Sequence, residues 1–321
     1  MAQPTYISFL HHGEASVELP VSITDAMFYG FAIASDGDKV QTFLDNTLNR
    51  VTGGEITYSF FGGHFLLAFV YCPHATSPTE IIGYEPDHEM LTFVPVLQWK
   101  KGDLLPQLRL WVPYLLIDSG LGMTTGRDVW GYNKTKGEMR IPGGAKDDPA
   151  EFAGATMIYP TLAPNTRGQF VDLLKVTRTD QSTLGPLNSE WATGADIMAA
   201  INKALGGWQD VISSKVHDFL KLAIGVYVPT VNLKQFRDEE NNKLACYQSL
   251  VDCEAQMTRL KGAGLLPGKY ELSVTPCASH QVEADLGLSN PVGDGRYSVR
   301  FAFWVNMDFT NPPGRRIWKA S

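Results

Sequence analysis

The chain of 321 residues carries 27 Lys and Arg against 34 Asp and Glu, a formal charge of −7 that argues against nucleic acid or an anionic membrane surface as the natural partner. Apolar residues make up 44% of the chain and charged residues 19%, which excludes an intrinsically disordered protein. The 30 Gly and 19 Pro residues follow no repeat, so they exclude a collagen-like chain and indicate a turn-rich β protein.

The N-terminus lacks the basic region and apolar core of a signal peptide. The longest apolar run, 60–72, contains Gly62, Gly63 and His64 and is too short to cross a bilayer. The four cysteines form no CxxC pair and have no regular spacing, which argues against a zinc ribbon or a redox dithiol. We therefore expect a soluble, reduced protein located in the cytoplasm.

Strands are predicted for most of the chain after one N-terminal helix. The helix is predicted over 36–49, where apolar residues recur at helical spacing behind Asp36, a residue suited to cap it. Runs rich in β-branched and aromatic residues then predict strands at 56–61, 65–72, 90–99, 108–118, 156–162, 170–177, 227–236, 244–257, 270–274 and 297–309. So many strands without regular intervening helices favour an antiparallel sheet or barrel over a doubly wound α/β fold.

A helical segment interrupts these strands between Thr193 and Ala223. Thr193 and Asp196 can form a capping box, and a glycine pair at 206–207 divides the segment into two helices. The segment is interpreted as a helical excursion packed on the barrel, with a lid or a subunit contact as the alternative. The Pro- and Gly-rich tail at 311–316 predicts an exposed terminal extension. We expect one domain over 1–321 with a helical insertion at about 190–225.

Several motifs are excluded by their spacing. The segment 120–127 begins like a phosphate-binding loop, but Thr125 stands where a dinucleotide fingerprint needs glycine, and no Gly-Lys-Ser/Thr ends it. The seven histidines are dispersed, with no pair at metal-binding spacing, and Gly-x-Ser-x-Gly is absent. We therefore expect neither a metal nor a cofactor, and no serine-hydrolase chemistry.

The segment 126–137, Gly-Arg-Asp-Val-Trp-Gly-Tyr-Asn-Lys-Thr-Lys-Gly, is where chemistry can be argued. Lys134 follows several apolar side chains, and an apolar environment disfavours the ammonium ion and lowers the pKa of a lysine. Lys136, two residues along a strand, would share its face and lower that pKa further. A neutral amine attacks a carbonyl group to form an imine. The alternative is a pair of solvated lysines in a turn.

This segment resembles the active-site signature of the acetoacetate decarboxylase superfamily, Gly-Arg-Glu-x-x-Gly/Ala-Tyr/Phe-Pro-Lys-Lys-x-Gly. Other stretches resemble the family in the same order: Glu89-Met-Leu-Thr-Phe-Val-Pro-Val, the strand at 110–118, and the later segments 228–236 and 245–248. The resemblance runs from about residue 36 to the C-terminal strand. It implies an α+β architecture, a mostly antiparallel, closed or conical β-barrel with flanking helices.

The resemblance also assigns roles to residues. It implies that Lys134 is the Schiff-base lysine and that Glu89 is the active-site glutamate, which would act as acid or base. An apolar ligand cavity is expected at the mouth of the barrel. Four aromatic side chains and the arginine of the signature are the candidate substrate-binding residues: Trp111, Tyr114, Arg127, Trp130 and Tyr132.

The chain departs from the family pattern in its cations. Thr135 stands where the family has a second lysine that lowers the pKa of the first, and Asn133 replaces a proline. The arginine that decarboxylating members use for the substrate carboxylate is absent near 34–35. These departures bear on decarboxylation and not on imine formation, because an imine needs only a neutral lysine and a carbonyl group.

The sequence therefore predicts a cofactor-independent lyase in which Lys134 forms a Schiff base with a β-keto or 2-oxo acid, decarboxylation being the reaction that the family implies. The aromatic residues indicate a small-molecule substrate larger than acetoacetate. One alternative is an aldolase or dehydratase acting on a 2-oxo acid. Another is a barrel that binds or rearranges a small apolar metabolite without covalent chemistry. We also expect a homo-oligomer, because strand edges and the apolar face of 193–223 need covering.

Overall fold

The computed structural model describes residues 4–80, 82–144, 147–180, 187–193, 196 and 227–320. Strands account for most of these residues, and the helices are few and short. The strands are β1 (Val21–Ala34), β2 (Ile56–Phe60), β3 (His64–Thr76), β4 (Tyr84–Lys100), β5 (Gln107–Trp111), β6 (Leu115–Ile117), β7 (Lys134–Arg140), β8 (Glu151–Ile158), β9 (Gln169–Arg178), β10 (Tyr227–Arg237), β11 (Ala245–Leu265), β12 (Tyr270–Val274), β13 (Pro291–Gly293), β14 (Arg296–Asn311) and β15 (Arg315–Lys319). The helices are α1 (Gly37–Asn46), α2 (Leu48–Val51), α3 (Gly120–Thr125) and α4 (Val282–Asp285), with a π-helical turn at Gly126–Trp130.

Hydrogen bonds link ten strands into a ring. In order, its members are β4, β6, β7, β8, β9, β12, β14, β11, β10 and β5, which pairs with β4 again. β3 and β1 connect β4 to β14 by a second, shorter route. The sheet is mixed, because β5 pairs with β10 and β6 with β7 in parallel. The strand-rich fold that the sequence predicts is thus confirmed in its coarse form, whereas the closed barrel stays a prediction.

The four neighbouring strands β4, β3, β1 and β14 are apolar on both faces. In β1, Tyr29 and Phe31 belong to one hydrophobic core, and the alternate residues Phe28 and Ala32 belong to another. The first core also receives side chains from β8, β9 and β12, and the second receives them from β5, β10 and β11. A strand that is buried on both faces must be apolar at successive positions. This two-sided burial places the second core inside a ring of seven strands: β1, β3, β4, β5, β10, β11 and β14.

The N-terminal helix confirms the capping prediction. The Asp36 carboxylate accepts hydrogen bonds from the backbone N–H groups of Asp38 (3.1 Å) and Lys39 (3.4 Å). Its charge therefore satisfies donors that have no partner within the first turn. The single helix predicted over 36–49 is divided into α1 and α2 in the structure.

The structure corrects the sequence prediction near both ends of the chain. β1 has no counterpart among the predicted strands, although its second half is a continuous apolar run. The tail predicted as an exposed extension instead forms β15, whose Arg315 and Arg316 pair with Asp252 and Val251 at the edge of β11. The strand predicted over 108–118 is divided into β5 and β6 around Pro113, which has no N–H group to donate to a ladder.

The predicted helical insertion at 193–223 lies outside the described residues except at its start. There the capping box is confirmed: Asp196 N–H donates to the Thr193 hydroxyl at 3.2 Å, and Thr193 N–H donates to the Asp196 carboxylate at 2.8 Å. Within the described ranges, no helix is long and apolar enough to cross a membrane. The single domain and the homo-oligomer stay predictions.

The placement of the first core is tested by substituting Phe152 of β8. Its side chain is fully buried, and its ring centroid lies 5.0 Å from that of Tyr29 and 4.9 Å from that of Phe31. Phe152→Ala leaves a cavity, so we expect it to lower the free energy of unfolding by about 3–5 kcal/mol. Phe170→Ala on the neighbouring strand β9, where the ring is exposed, should change it by less than about 0.5 kcal/mol. Urea unfolding measures both, and equal losses would contradict this placement of the core.

Candidate active site

Lys134 is the first residue of β7, and the preceding turn places it there. The π-helical turn ends at Gly131, whose φ of +76° is a conformation that glycine adopts without strain. A Cβ atom at Gly131 would lie 2.7 Å from the backbone nitrogen of Lys234, so this turn and β10 approach closely. β7 then runs parallel to β6, with Lys134 opposite Leu115.

A second glycine makes room for the lysine side chain. A Cβ atom at Gly126 would lie 2.5 Å from Cε of Lys134 and 3.1 Å from its Nζ. The neighbouring residue Arg127 donates from its guanidinium group to the backbone carbonyl oxygen of Lys134 at 2.9 Å. The glycine and the arginine of this segment therefore both act on the position of Lys134.

The Lys134 ammonium group is paired with the Glu89 carboxylate of β4. Nζ donates to Oε1 at 2.5 Å, and the two side chains are only 9% and 18% exposed. Glu89 lies opposite Val70 of β3 on one side and Ile117 of β6 on the other. Because both charges are largely withdrawn from water, each depends on the other for its stabilisation.

Glu89 is the last of three acidic residues on one face of β4, after Glu85 and Asp87. Burial, and then the charge of Glu89, raises the pKa of the Asp87 carboxyl to about 7, while the charge of Lys134 acts in the opposite direction. The Asp87 residue is 9% exposed, and among the described residues its Oδ1 has no hydrogen-bond partner. Glu85, in contrast, accepts a hydrogen bond from the Ser119 hydroxyl at 2.9 Å. Asp87 is therefore a carboxyl group that gains and loses a proton near neutral pH.

Cys72 of β3 lies opposite Asp87 in the ladder. Burial, followed by the charges of Asp87 and Glu89, raises the pKa of the Cys72 thiol well above its ordinary value. The thiolate is the nucleophilic form of cysteine. Cys72 is therefore an uncharged neighbour of the acidic face and not a nucleophile.

Lys134 and Glu89 lie where two cavities meet. The first has a volume of about 220 Å³, and we call it the acidic pocket because Glu85, Asp87 and Glu89 line it. The second, of about 130 Å³, is here named the apolar cavity. Five residues line both: Glu89, Trp130, Lys134, Phe309 and Asn311. Among the described residues that line either cavity, Lys134 is the only cation.

The walls of the apolar cavity come from the second core and from all seven strands around it. They include Phe28, Val70, Leu91, Phe93, Met257 and Phe303. Tyr132 also lines the cavity, and its hydroxyl shares a hydrogen bond of 2.8 Å with the Thr230 hydroxyl. Burial raises the pKa of the Tyr132 phenol, so the hydroxyl stays protonated. Such walls suit a hydrocarbon or aromatic group next to the lysine amine.

The structure brings four of the seven predicted site residues together: Lys134, Glu89, Trp130 and Tyr132 line the apolar cavity. The other three lie outside both cavities. Trp111 packs against Phe43 with 4.7 Å between ring centroids, and the Tyr114 hydroxyl donates to Asp285 at 2.5 Å. Arg127 is exposed and is used by the Lys134 backbone; with Trp111 and Tyr132 it lines a separate pocket of about 310 Å³.

Two elements of the site were missed or misjudged from the sequence. Asp87 and Glu85 were not among the candidates, although the alternation Glu85-Pro-Asp87-His-Glu89 predicts three carboxylates on one face of a strand. Lys136, expected beside Lys134, is exposed instead, and its ammonium group donates to the backbone carbonyl oxygen of Asp118. The charges closest to the lysine amine are therefore carboxylates and not a second ammonium group.

Comparison with models of protein families and with curated proteins found no match for this sequence. Solved structures match over almost the whole chain. Acetoacetate decarboxylase from Legionella pneumophila has a TM-score of 0.60 at 13% identity, with 99% of both chains covered. The enduracididine biosynthesis enzyme MppR in complex with pyruvate has a TM-score of 0.56 at 14% identity over 98% of each chain. An acetoacetate decarboxylase-like enzyme from Sphingomonas wittichii has a TM-score of 0.55 at 10% identity over 94% of each chain.

The chain therefore has the fold of acetoacetate decarboxylase and the enzymes similar to it. This confirms, at the level of the fold, the resemblance on which the sequence analysis relied.

The role of Gly126 in positioning the Lys134 side chain is tested by substituting it with alanine. Gly126→Ala places a methyl group where the end of the Lys134 side chain lies. That side chain is flexible, so we expect the variant to fold and the amine to move away from Glu89. A crystal structure should show Nζ and Oε1 separated by more than about 3.2 Å, the limit of a hydrogen bond. Gly120→Ala, which meets open space, is the matched control, and an intact ion pair in Gly126→Ala would contradict the argument.

Asp87 makes the stability of the fold depend on pH. Its pKa is about 7 in the folded protein, against an ordinary value of 3.8 for an aspartate that is exposed to water. The folded state thus binds this proton more tightly, and its contribution to stability is lost as the pH rises from about 4 to about 7, by at most about 1.4 kcal/mol per pH unit. The asparagine of Asp87→Asn does not titrate. The free energy of unfolding of this variant in urea, relative to that of the wild type, should therefore increase as the pH rises through this window and then stay constant. A difference that is independent of pH would contradict this.

Proposed function

We propose that the protein is a cofactor-independent lyase in which Lys134 forms a Schiff base with the carbonyl group of a β-keto or 2-oxo acid. Glu89 takes a proton from the Lys134 ammonium group, the amine nitrogen attacks the carbonyl carbon, and the carbonyl oxygen leaves as water with that proton and one from the nitrogen. The protonated imine then takes up the electron pair of an adjacent bond as that bond breaks. The resulting enamine is protonated, and hydrolysis returns the free lysine.

The observation that carries this proposal is the position of the Lys134 amine, buried and in contact with Glu89 where the acidic pocket meets the apolar cavity. Glu89 holds the nitrogen at this junction, so a carbonyl group that enters either space meets it. A carboxylate at 2.5 Å also stabilises a positive charge on that nitrogen, which the imine retains. Glu89 thereby serves as a positioning residue for the amine.

The apolar cavity supports a substrate that carries a hydrocarbon or aromatic group. Its described walls are apolar apart from Glu89, Lys134, the Tyr132 hydroxyl, Thr230 and Asn311. Burial of apolar surface contributes about 25 cal/mol per Å² to binding of such a group. This favours a keto acid larger than acetoacetate.

The charges of the lining residues bear on which reaction an imine at Lys134 would undergo. Lys134 is the only cation among the described residues lining the two cavities, beside three carboxylates. A substrate carboxylate therefore finds no second cation there, which disfavours decarboxylation in the manner that the family implies. Aldol or dehydration chemistry is the second candidate. MppR, which shares the fold, has been solved with the condensation product of pyruvate and imidazole 4-carboxaldehyde.

Covalent chemistry at Lys134 is tested with pentane-2,4-dione, a β-diketone that gives a light-absorbing vinylogous imine with an accessible neutral amine. We expect the absorbance band to appear with the wild type and to be lost in Lys134→Arg, because a guanidinium group stays protonated and forms no imine. If Lys134→Arg does not fold, Lys134→Met takes its place in this test, since it also lacks an amine. Lys136→Arg, the same change at the exposed lysine, is the control and should keep the band.

Mass spectrometry after borohydride reduction locates the adduct. The proposal requires a secondary amine on Lys134 and none on Lys136. If the folded wild type forms no adduct, or if Lys134→Arg and Lys134→Met form it as well, the protein is instead a barrel that binds or rearranges its ligand without a covalent bond to this lysine.

A further inference from the structure

Asp87 is a buried acidic residue that the pairing of Lys134 with Glu89 does not use. It lines the acidic pocket with both of them, and its Oδ1 has no partner among the described residues. A buried carboxyl oxygen without a partner is uncommon, because leaving it unpaired costs free energy. We propose that Asp87, and not Glu89, moves the proton at the carbon next to the carbonyl group that Lys134 binds. This inference rests on the Schiff-base function proposed above.

The spacing of the two acids along β4 supports this division of roles. Glu89 is engaged with Nζ at 2.5 Å, at the atom where the imine forms. Asp87 precedes it on the same face, about 7 Å away along the strand. In the imine, the carbon that loses its proton is separated from Nζ by two bonds. A substrate that extends from Nζ into the acidic pocket, which Asp87 also lines, brings that carbon toward Asp87, whereas Glu89 stays at the nitrogen.

The groups around Asp87 make both of its protonation states available. Four groups interact with the Asp87 carboxyl: Glu89 on the same strand, Lys134 on β7, Cys72 on β3, and Asp118, which follows β6. Burial and the charges of Glu89 and Asp118 raise the pKa of Asp87, whereas the charge of Lys134 and a hydrogen bond with Cys72 lower it, and the resulting pKa is about 7. A base whose pKa lies near the working pH combines a sufficient ionised fraction with a sufficient proton affinity.

The proposed step balances without any further reactant. The Asp87 carboxylate takes the proton from the carbon next to the imine, and the electron pair of that C–H bond forms the C=C bond of an enamine. The C=N electrons move to the nitrogen, whose positive charge is neutralised. Asp87 is now a carboxylic acid, and it returns a proton to the same carbon or exchanges it with water first. In D₂O the carbon therefore acquires deuterium.

The experiment measures deuterium uptake and imine formation separately on the same samples. The probe is 2-pentanone, a ketone with an apolar chain and no carboxylate. Proton NMR in D₂O follows exchange next to the carbonyl group, and borohydride trapping with mass spectrometry follows the adduct on Lys134. Glu138→Gln is the matched control: it removes an exposed carboxylate of β7 that lines neither cavity.

We expect Asp87→Asn to keep the trapped adduct on Lys134 and to exchange deuterium about 100-fold more slowly, the size of effect typical for loss of a general base. Glu138→Gln should keep both within about twofold, since this side chain is exposed and lines neither cavity. In the wild type the exchange rate should rise with pH and level off above about 7, the pKa of Asp87. Asp87→Glu, which restores a carboxylate, should recover part of the rate.

The two proposals fail in distinguishable ways. If the wild type yields no adduct on Lys134, the Schiff-base function fails. If the adduct forms but Asp87→Asn exchanges as fast as the wild type, only the role of Asp87 is overturned. Loss of the adduct in a folded Asp87→Asn also overturns it, because Asp87 would then act in imine formation. If Glu89→Gln loses deuterium exchange but keeps the adduct on Lys134, Glu89 and not Asp87 is the base.

Discussion

The buried ion pair between Lys134 and Glu89 is the interaction on which the candidate site depends. It joins β7 to β4 across β6, and it lies at the meeting point of the two cavities. A surface ion pair would contribute little. Removing one member of a buried pair leaves the other charge without compensation, at a cost of about 3–5 kcal/mol. The fold therefore holds the amine in place through the carboxylate, and the carboxylate through the amine.

The apolar cavity follows from a second constraint, the two-sided burial of the central strands. β4, β3, β1 and β14 pack one face against the first core and must cover the other face with β5, β10 and β11. The second core does not fill the space inside those seven strands completely, and the remaining volume ends at Lys134. The acidic face of β4 continues beyond that point. An apolar space and an acidic one thus adjoin a single amine.

This arrangement differs from a site built on two cations. The family pattern lowers the pKa of its Schiff-base lysine with a neighbouring lysine, but here Thr135 stands in that position and Lys136 is directed to the Asp118 carbonyl. The Glu89 carboxylate contacts the amine instead, and Asp87 and Glu85 line the same pocket. If Lys134 forms the proposed imine, this acidic face suits reactions that move protons at the neighbouring carbon, because a carboxyl group with a pKa of about 7 is available there.

The sequence by itself determined the local features of the protein. Asp36 predicts the start of α1, and Thr193 and Asp196 predict a capping box. The segment 126–137 singles out Lys134 as a candidate site residue. Each of these signals depends on only a few neighbouring residues. Only the tertiary structure decided which side chains meet Lys134. Glu89 is 45 positions away along the chain, and the resemblance that suggested it carries no distance. Trp111 and Trp130 look equally suitable in the sequence, but the pairing of β5 turns Trp111 toward Phe43, whereas Trp130, at the end of the π-helical turn, lines both cavities. The direction of a side chain across a sheet depends on register, and register depends on partners that are distant in the chain.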